Sequence, residues 1–327
     1  MIDFAVTAAT IAGFFAILAA GLNIQWGLSG MANFGLAGFF ALGAYVTGMG
    51  MVAPVQGSAI NTNTYLFSWG LPWPAAAAAA LAVTAVAALV IARALMRTRL
   101  EPLFVAVITL AFSEVLIMLL TTEKWLANGF SGVIGIEQPL LSKVGFDNYD
   151  VFYMVVVLAI AAIVVALTRY LQSTPFGRLL KGIREEPEVV QSFGHDVRKA
   201  RRTAFVIGCM IMALAGALWA PYATVVEPSA FKTEETFLIW AVLIIGGSAN
   251  AYGPLVGAAL VIGLIQQGTR FLPASGEWAN LVPSLRGVLI GVLFMVLIRF
   301  RPEGIAAERP RRIVPAERGK RTAEEAR

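Results

Sequence analysis

The sequence predicts an all-α polytopic membrane protein with about 8–9 transmembrane passes, some of them broken or re-entrant. Of its 327 residues, 58% are hydrophobic and 14% are charged, whereas an average soluble domain has roughly 25% charged residues. The 89 residues from Phe4 to Ala92 contain no formally charged side chain. One helical pass through a bilayer takes roughly 20 apolar residues, so this segment alone corresponds to several passes.

The composition also excludes several other classes of protein. The chain has one cysteine, Cys209, and one histidine, His195, which excludes a disulfide framework and argues against cysteine clusters, haem and zinc. We therefore expect no metal site. The sequence lacks the alternating strands typical of an outer-membrane barrel. Its first residues also lack the basic region of a signal peptide, so a cleaved signal peptide is not expected. No nucleophile–base pair stands out, so a membrane-embedded enzyme is not expected.

Eight windows with few or no charges mark the predicted passes. They are 4–22, 33–52, 71–92, 103–122, 151–168, 203–222, 236–269 and 281–298. Window 236–269 is short for two full passes, and its middle contains closely spaced helix breakers. These are Gly246, Gly247, Gly253 and Pro254. We expect two short or re-entrant helices that meet at this turn, where protein or a water-filled cavity must surround the irregular backbone.

The basic residues predict the orientation in the membrane. Most of the 25 Lys and Arg residues lie in three regions, 93–99, 169–202 and 299–327, and such regions face the cytoplasm. Counting passes between them predicts an outside N-terminus and a cytoplasmic C-terminus. The same rule explains the formal charge of +5, so nucleic acid is not an expected partner.

A second break lies between windows 4–22 and 33–52, where polar residues and glycines interrupt the apolar sequence. The residues singled out are Asn23, Gln25, Gly30, Asn33 and Gly35. Ala32-Asn33 here resembles Ala249-Asn250 in the later turn, and paired interrupted segments are typical of a transport site at a repeat interface. Close packing of small residues explains the glycines equally well. Asn23, Gln25 and Asn33 are thus candidates either for lining a pathway or for satisfying the broken backbone.

The basic loop 169–202 contains an amphipathic segment. Leu179, Ile183, Val190 and Phe193 fall near one helical face. Pro187 suits the first turn of a short helix, and Gly194 suits its C-terminal end. Such a segment either docks into a groove of another protein or lies flat against the lipid surface or the bundle.

Glu114 is the one carboxylate well inside a predicted pass. A charged group at this depth is costly and indicates a functional site by default. Glu114 either lines a pathway or accepts a hydrogen bond from Thr109, Ser113 or a neighbouring helix.

Residues 1–300 are predicted to form one transmembrane domain. Residues 301–327 form a basic tail, expected to be cytoplasmic, disordered and attracted to anionic lipid. The Gly319-Lys320 pair in that tail has no phosphate-binding loop before it. ATP hydrolysis is therefore not encoded in this chain.

Five sequence blocks stand out beyond these patterns. They are Gly21–Gly27 with Asn33–Gly35 and Gly43–Tyr45; Ile108–Glu114; Ser173–Arg178 with Gly182–Glu185 and Ser192–Gly194; Gly246–Ala258; and Phe300–Gly304. In this order they resemble the membrane-spanning permease subunits of bacterial branched-chain amino acid ABC importers. The resemblance covers nearly the whole chain and is closer to the M-type subunit than to the H-type.

This resemblance implies a specific assembly in the bacterial inner membrane. The chain would form a heterodimer with a second, related permease, receive substrate from a periplasmic binding protein, and couple to two ATPase subunits. Those subunits would bind ATP and Mg²⁺, with no cofactor on this chain and no enzymatic activity of its own. The residues implied to form the ATPase-coupling loop are Arg184, Glu185, Glu186, Val190, Phe193 and Gly194. The implied substrates are branched-chain amino acids or similar small polar or zwitterionic solutes, and urea and short amides stay open.

The alternative is a proton- or ion-coupled secondary transporter. Such proteins usually need several ionisable groups within the membrane. Glu114 is the one candidate in this sequence for such a relay.

Overall fold

A computed structural model describes residues 2–53, 68–97, 102–266 and 303–306, together with 288, 291–292, 295–296 and 299–300. Most of window 281–298 and of the tail 301–327 lies outside the described residues, as does the C-terminus. The α-helices are α1 Ile2–Leu22, α2 Leu36–Met51, α3 Trp73–Arg97, α4 Pro102–Thr122, α5 Lys124–Ala127, α6 Leu141–Val144, α7 Phe146–Ser173, α8 Pro175–Glu185, α9 Pro187–Ser192, α10 Val197–Ala223, α11 Thr233–Gly246 and α12 Gly253–Ala258.

Within the described ranges, five helices are long and apolar enough to cross a membrane. They are Asp3–Leu28, Trp73–Arg97, Leu103–Thr122, Phe146–Ser173 and Val197–Ala223. They coincide with five of the predicted windows, which confirms a polytopic, essentially all-α membrane protein. Window 33–52 yields a shorter helix, α2, because the chain between Gly30 and Gly35 is irregular.

The centre of the bundle is α10, which packs against α1, α2 and α3. Small residues allow the backbones to approach closely. A Cβ atom at Gly43 would lie 2.6 Å from the Cα of Ala213, and one at Gly21 would lie 2.7 Å from the carbonyl oxygen of Gly208. Small residues at helix contacts are typical of membrane bundles, where van der Waals packing drives association.

The described residues depart from an all-α fold at one antiparallel pair of two-residue strands. These are β1, Val133–Ile134, and β2, Val225–Val226. Val133 pairs with Val226, and Ile134 pairs with Val225. The pair joins the loop after α4 to the end of α10.

The window 236–269 folds as a helix, a turn and a second helix, as the sequence predicts. The first helix is α11 and the second is α12, which continues as a π-helical segment, Ala259–Gln266. Neither α11 nor α12 is as long as the five spans. Residues 267–269 lie outside the described part.

Candidate functional site

The first break begins as a change of helix type directly after α1. The chain continues from Leu22 as a π-helical segment, Asn23–Leu28, and becomes irregular only from Gly30. Gly30 has φ +71°, a left-handed conformation that glycine adopts without steric cost. The irregular stretch is therefore 30–35, later in the chain than most of the polar residues that predicted it.

Gln25 and Asn33 form a buried polar network at this break. Gln25 Nε2 donates to the Phe205 carbonyl oxygen at 2.8 Å, and Asn33 Nδ2 donates to Gln25 Oε1 at 2.9 Å. The Gly35 N–H donates to Asn33 Oδ1 at 2.8 Å at the start of α2. Gln25 and Asn33 are fully buried, so both amide groups serve the chain's own backbone and each other.

Asn23 connects the first break to the second. Its Nδ2 donates to the Asn250 carbonyl oxygen, and its Oδ1 accepts from the Ala249 N–H, both at 2.8 Å. The backbones also approach closely, since a Cβ atom at Gly27 would lie 2.6 Å from the Ala249 nitrogen. The sequence comparison matched Ala32-Asn33 with Ala249-Asn250, whereas in the fold Asn23 contacts the later motif.

The second break is a tight turn between α11 and α12. Gly247 has φ +113°, which glycine tolerates. The backbones of Gly246 and Gly253 lie so close that a Cβ atom on either would overlap the other segment. Pro254 lies in the first turn of α12, where its missing N–H leaves no bond unmade.

A short C-terminal segment completes this turn. The Ile305 N–H donates to the Ile245 carbonyl oxygen at 3.0 Å, and the Ala306 N–H donates to the Gly246 carbonyl oxygen at 2.9 Å. These bonds satisfy carbonyl groups that the end of α11 would leave without partners. Residues 303–306 of the tail are thus ordered against the second break.

The end of α7 reaches the same turn. Gln172 Nε2 donates to the Ala249 carbonyl oxygen at 3.2 Å. Arg169 Nη1 donates to the Tyr252 hydroxyl, and its guanidinium carbon lies 5.6 Å from the centre of the Tyr252 ring. Sequence patterns do not single out these side chains, because each contact joins residues about 80 positions apart.

The helix α8 contacts the first break through Arg184. Arg184 Nη1 donates to the Gly27 carbonyl oxygen at 2.5 Å, and its side chain lies beside Gly30, where a Cβ atom would be 3.3 Å from Arg184 Cγ. Arg184 lies in the last turn of α8, where a cation also interacts favourably with the dipole of that helix. Both breaks, α7, α8 and residues 303–306 meet in one region. We call this region the break junction.

The outward side of α8 and α9 is exposed and mixed in character. Phe193 is 77% exposed and Val189 is 51% exposed, and the Glu185 side chain is 71% exposed. Glu186 and Gly194 are also exposed. Val189 belongs to this surface although it was not among the predicted coupling residues.

The expected single apolar face in this loop is wrong in part. Ile183 is buried and Leu179 and Val190 are half-buried, but Phe193 points outward. The reason is that α8 ends before Glu186, which has φ −142° and ψ 84°. A residue that precedes proline is driven from the helical region, so Pro187 starts a separate helix. Gly194, with φ +81°, ends α9 as predicted.

Glu114 lies apart from the break junction, in the middle of α4, with its side chain exposed. It accepts a hydrogen bond from the Thr233 hydroxyl at the start of α11. Of the donors expected from the sequence, the neighbouring helix is the one observed. The Thr109 hydroxyl instead bonds within α4 and accepts from the Phe34 N–H at 3.0 Å.

An aromatic cluster joins the first break to the side of α11 near Glu114. The Trp26 and Trp240 ring centres lie 5.3 Å apart, Phe34 stacks on Trp240 at 4.9 Å, and Phe34 meets Phe237 at 5.9 Å. Trp240 Nε1 donates to the Asn33 carbonyl oxygen at 3.0 Å. These aromatic residues were not predicted as part of a site.

The profile of the family described as "Branched-chain amino acid transport system / permease component" matches residues 4–298. The chain belongs to this family. It is 26% identical over 328 residues to the probable branched-chain amino acid transport permease protein LivM of Methanocaldococcus jannaschii, covering 91% of this chain and 92% of the relative. It is 25% identical over 320 residues to the high-affinity branched-chain amino acid transport system permease protein LivM of Escherichia coli, covering 91% and 68%.

A second Methanocaldococcus jannaschii protein is related as well. This probable branched-chain amino acid transport permease protein, LivH, is 25% identical over 192 residues, covering 53% of this chain and 59% of the relative. No solved structure matches the chain significantly. The M-type resemblance drawn from the five sequence blocks is confirmed by the LivM relatives.

Proposed function

We propose that this chain is a permease subunit of an ATP-driven importer in a bacterial inner membrane. It moves branched-chain amino acids or similar small zwitterionic solutes together with a second, related permease. A periplasmic binding protein delivers the solute, and two separate ATPase subunits bind ATP and Mg²⁺. The family membership and the LivM relatives support this proposal.

The observation that carries the coupling mechanism is the position of α8. One side of the α8–α9 segment is bonded to the bundle through Arg184 and Gly27, and the other side exposes Glu185, Val189 and Phe193. An exposed surface with apolar and acidic side chains suits docking to a partner protein. A shift of α8 imposed by an ATPase would act directly on the first break.

The break junction extends that action to the second break. Asn23 joins the two breaks, and Gln172 joins α7 to the same turn. Packed elements with two discrete arrangements convert small displacements into larger rearrangements. We infer that the two breaks move together when α8 moves, and that this opens or closes the pathway.

The coupling proposal is tested by changing Glu185 and Glu186 together to Lys. Both carboxylates are exposed, so charge reversal is expected to leave folding intact while abolishing binding of the ATPases and uptake. Uptake of labelled leucine and co-purification of the ATPases measure the effect. The control changes Asp147 and Asp150, exposed at the opposite end of α7, to Asn, and is expected to retain both activities.

The energy source is tested in proteoliposomes that contain the purified complex. Uptake is expected to require internal ATP and to survive a protonophore that collapses the proton gradient. Uptake that stops with the protonophore while ATP stays high would instead favour a proton-coupled secondary transporter. Normal uptake by the Glu185/Glu186 variant would remove the coupling assignment but not the ATP requirement.

A further inference from the structure

The helix α4 presents a continuous exposed stripe on the outside of the bundle. Its exposed residues recur at spacings of three and four, so they share one helical face. They include Leu103, Phe104, Val107, Ile108, Ala111, Glu114, Val115, Met118 and Leu119. Only 22% of the apolar window of α4 is buried, compared with 33% in α3 and α7 and 67% in α10. Within this chain, α4 is thus the least covered of the five long spans that the structure describes.

Glu114 distinguishes this stripe from a surface that faces lipid. A carboxylate in a hydrocarbon environment is strongly disfavoured unless other groups compensate it. The Thr233 hydroxyl supplies one hydrogen bond, whereas an ionised carboxylate has about four acceptor positions. The Glu114 side chain remains exposed beside that bond, so water or a polar partner group must reach it.

The exposed faces of the other peripheral spans are different. Between residues 75 and 90 of α3, every exposed residue is Ala or Val. Between residues 151 and 167 of α7, every exposed residue is Ala, Val, Ile or Leu. These two faces match a lipid environment without any polar group to satisfy, which the α4 stripe does not.

The surface continues from α4 onto α11. Thr233 bridges the two helices, and Phe237, one turn further along α11, is 55% exposed. Phe237 contacts Phe34 of the aromatic cluster, which extends to the first break. Glu114 therefore lies at the edge of a surface that leads to the break junction.

We propose that the second permease subunit packs on the α4 stripe and that Glu114 borders the polar pathway between the two subunits. Val115, Met118 and Leu119 contact the partner, and Glu114 contacts water on the side of α11. The occupant is a related subunit, since one organism has two permease proteins, LivM and LivH, that are both similar to this chain. This inference rests on the proposed function, because it needs a second permease.

Single cysteines test this packing, since the one native cysteine, Cys209, is fully buried. Val115→Cys is compared with Val155→Cys on α7, because the two valines are equally exposed, 56% and 55%. Each variant is spin-labelled and reconstituted in lipid, alone and in the full complex, and accessibility to lipid-dissolved oxygen is measured. We expect the label at 115 to lose its oxygen accessibility on assembly, and the label at 155 to keep it.

The outcomes separate this inference from the proposed function. If the complex assembles and position 115 stays as accessible to oxygen as position 155, the packing inference is overturned and the importer proposal stands. If position 115 is protected only by a second copy of this chain, the related subunit is not the occupant. If neither a second permease nor ATPases co-purify, both proposals fail.

The role of Glu114 has a separate readout. In the assembled complex, Glu114→Cys is expected to react with a membrane-impermeant, water-soluble thiol reagent, and Val155→Cys is not. An unreactive cysteine at position 114 in a complex that still transports solute would overturn the placement of Glu114 at the pathway.

Discussion

Polar side chains are buried at the break junction, whereas on the α4 stripe a polar side chain is exposed. At the junction, Asn23, Gln25 and Asn33 are fully buried, and their amide groups bond to the chain itself. On α4, Glu114 has a bond from Thr233 but stays exposed. Polar groups that a chain satisfies internally hold its own elements together. A polar group that stays exposed on the surface of the bundle indicates a neighbouring molecule outside the chain.

The largest effect on folding is expected at the centre of the junction. Asn23→Leu removes both bonds between the breaks and leaves the buried Ala249 N–H without this partner, whereas the Asn250 carbonyl oxygen keeps its bond from the Gly253 N–H. The free energy of unfolding is expected to fall by about 2–4 kcal/mol, because a buried unpaired group costs about 1–3 kcal/mol and an ordinary hydrogen bond contributes about 1 kcal/mol. Thermal unfolding of the purified protein in detergent measures it. Asn148→Leu is the control, since Asn148 is exposed. Equal stability of the two variants would contradict a structural role for Asn23.

A smaller effect on folding, with a large one on transport, is expected for Arg184→Leu. This change removes the bond from α8 to the Gly27 carbonyl oxygen and the 3.5 Å contact of Arg184 Nη2 with Glu185 Oε1, but leaves the exposed apolar side chains Val189 and Phe193 unchanged. The complex is expected to hydrolyse ATP and to lose uptake, which paired assays of both activities measure.

The chain offers a matched control for this variant. Arg178 also lies on α8 and donates to a backbone carbonyl, that of Ser173, which is only five positions away. Arg178→Leu is expected to retain uptake. If both arginine variants behave alike, the contact with the first break has no special part in coupling.

The smallest effect is expected on the α4 side. Thr233→Val removes the bond to Glu114, but water reaches this exposed carboxylate in detergent, so the free energy of unfolding is expected to change by about 0.5 kcal/mol or less. Thr109→Val is the comparison, because it leaves the part-buried Phe34 N–H without this partner and is expected to cost about 1–2 kcal/mol. Denaturation curves of the two variants measure the two losses in the free energy of unfolding, which are then compared. A larger loss in Thr233→Val would show that Glu114 is a structural group of this chain.

Much of the helical framework was predictable from local sequence. The charge-free windows locate α1, α3, α4, α7 and α10, because a bilayer demands long apolar helices. Pro187 and Gly194 mark the ends of α9 through their own backbone preferences. The structure also brings both breaks and the basic loop into contact.

The partners within the site were not predictable in the same way. The sequence shows that Ala32-Asn33 resembles Ala249-Asn250, but nothing in it predicts that Asn23 bonds to the Asn250 carbonyl oxygen. Arg184 was expected to belong to the coupling loop, and its guanidinium is directed at Gly27 of the bundle. Which side of a helix meets which neighbour depends on rotation and crossing angles, and these are set by packing over the whole bundle.

The sequence by itself determined that this is a polytopic membrane protein with two broken regions, one amphipathic loop and one carboxylate within a pass. Those properties follow from hydropathy and from backbone preferences, which act over a few residues. The tertiary structure decided that the two breaks are joined through Asn23 and that Glu114 lies on an exposed face. Both depend on contacts between residues more than 100 positions apart, which only the packed bundle brings together.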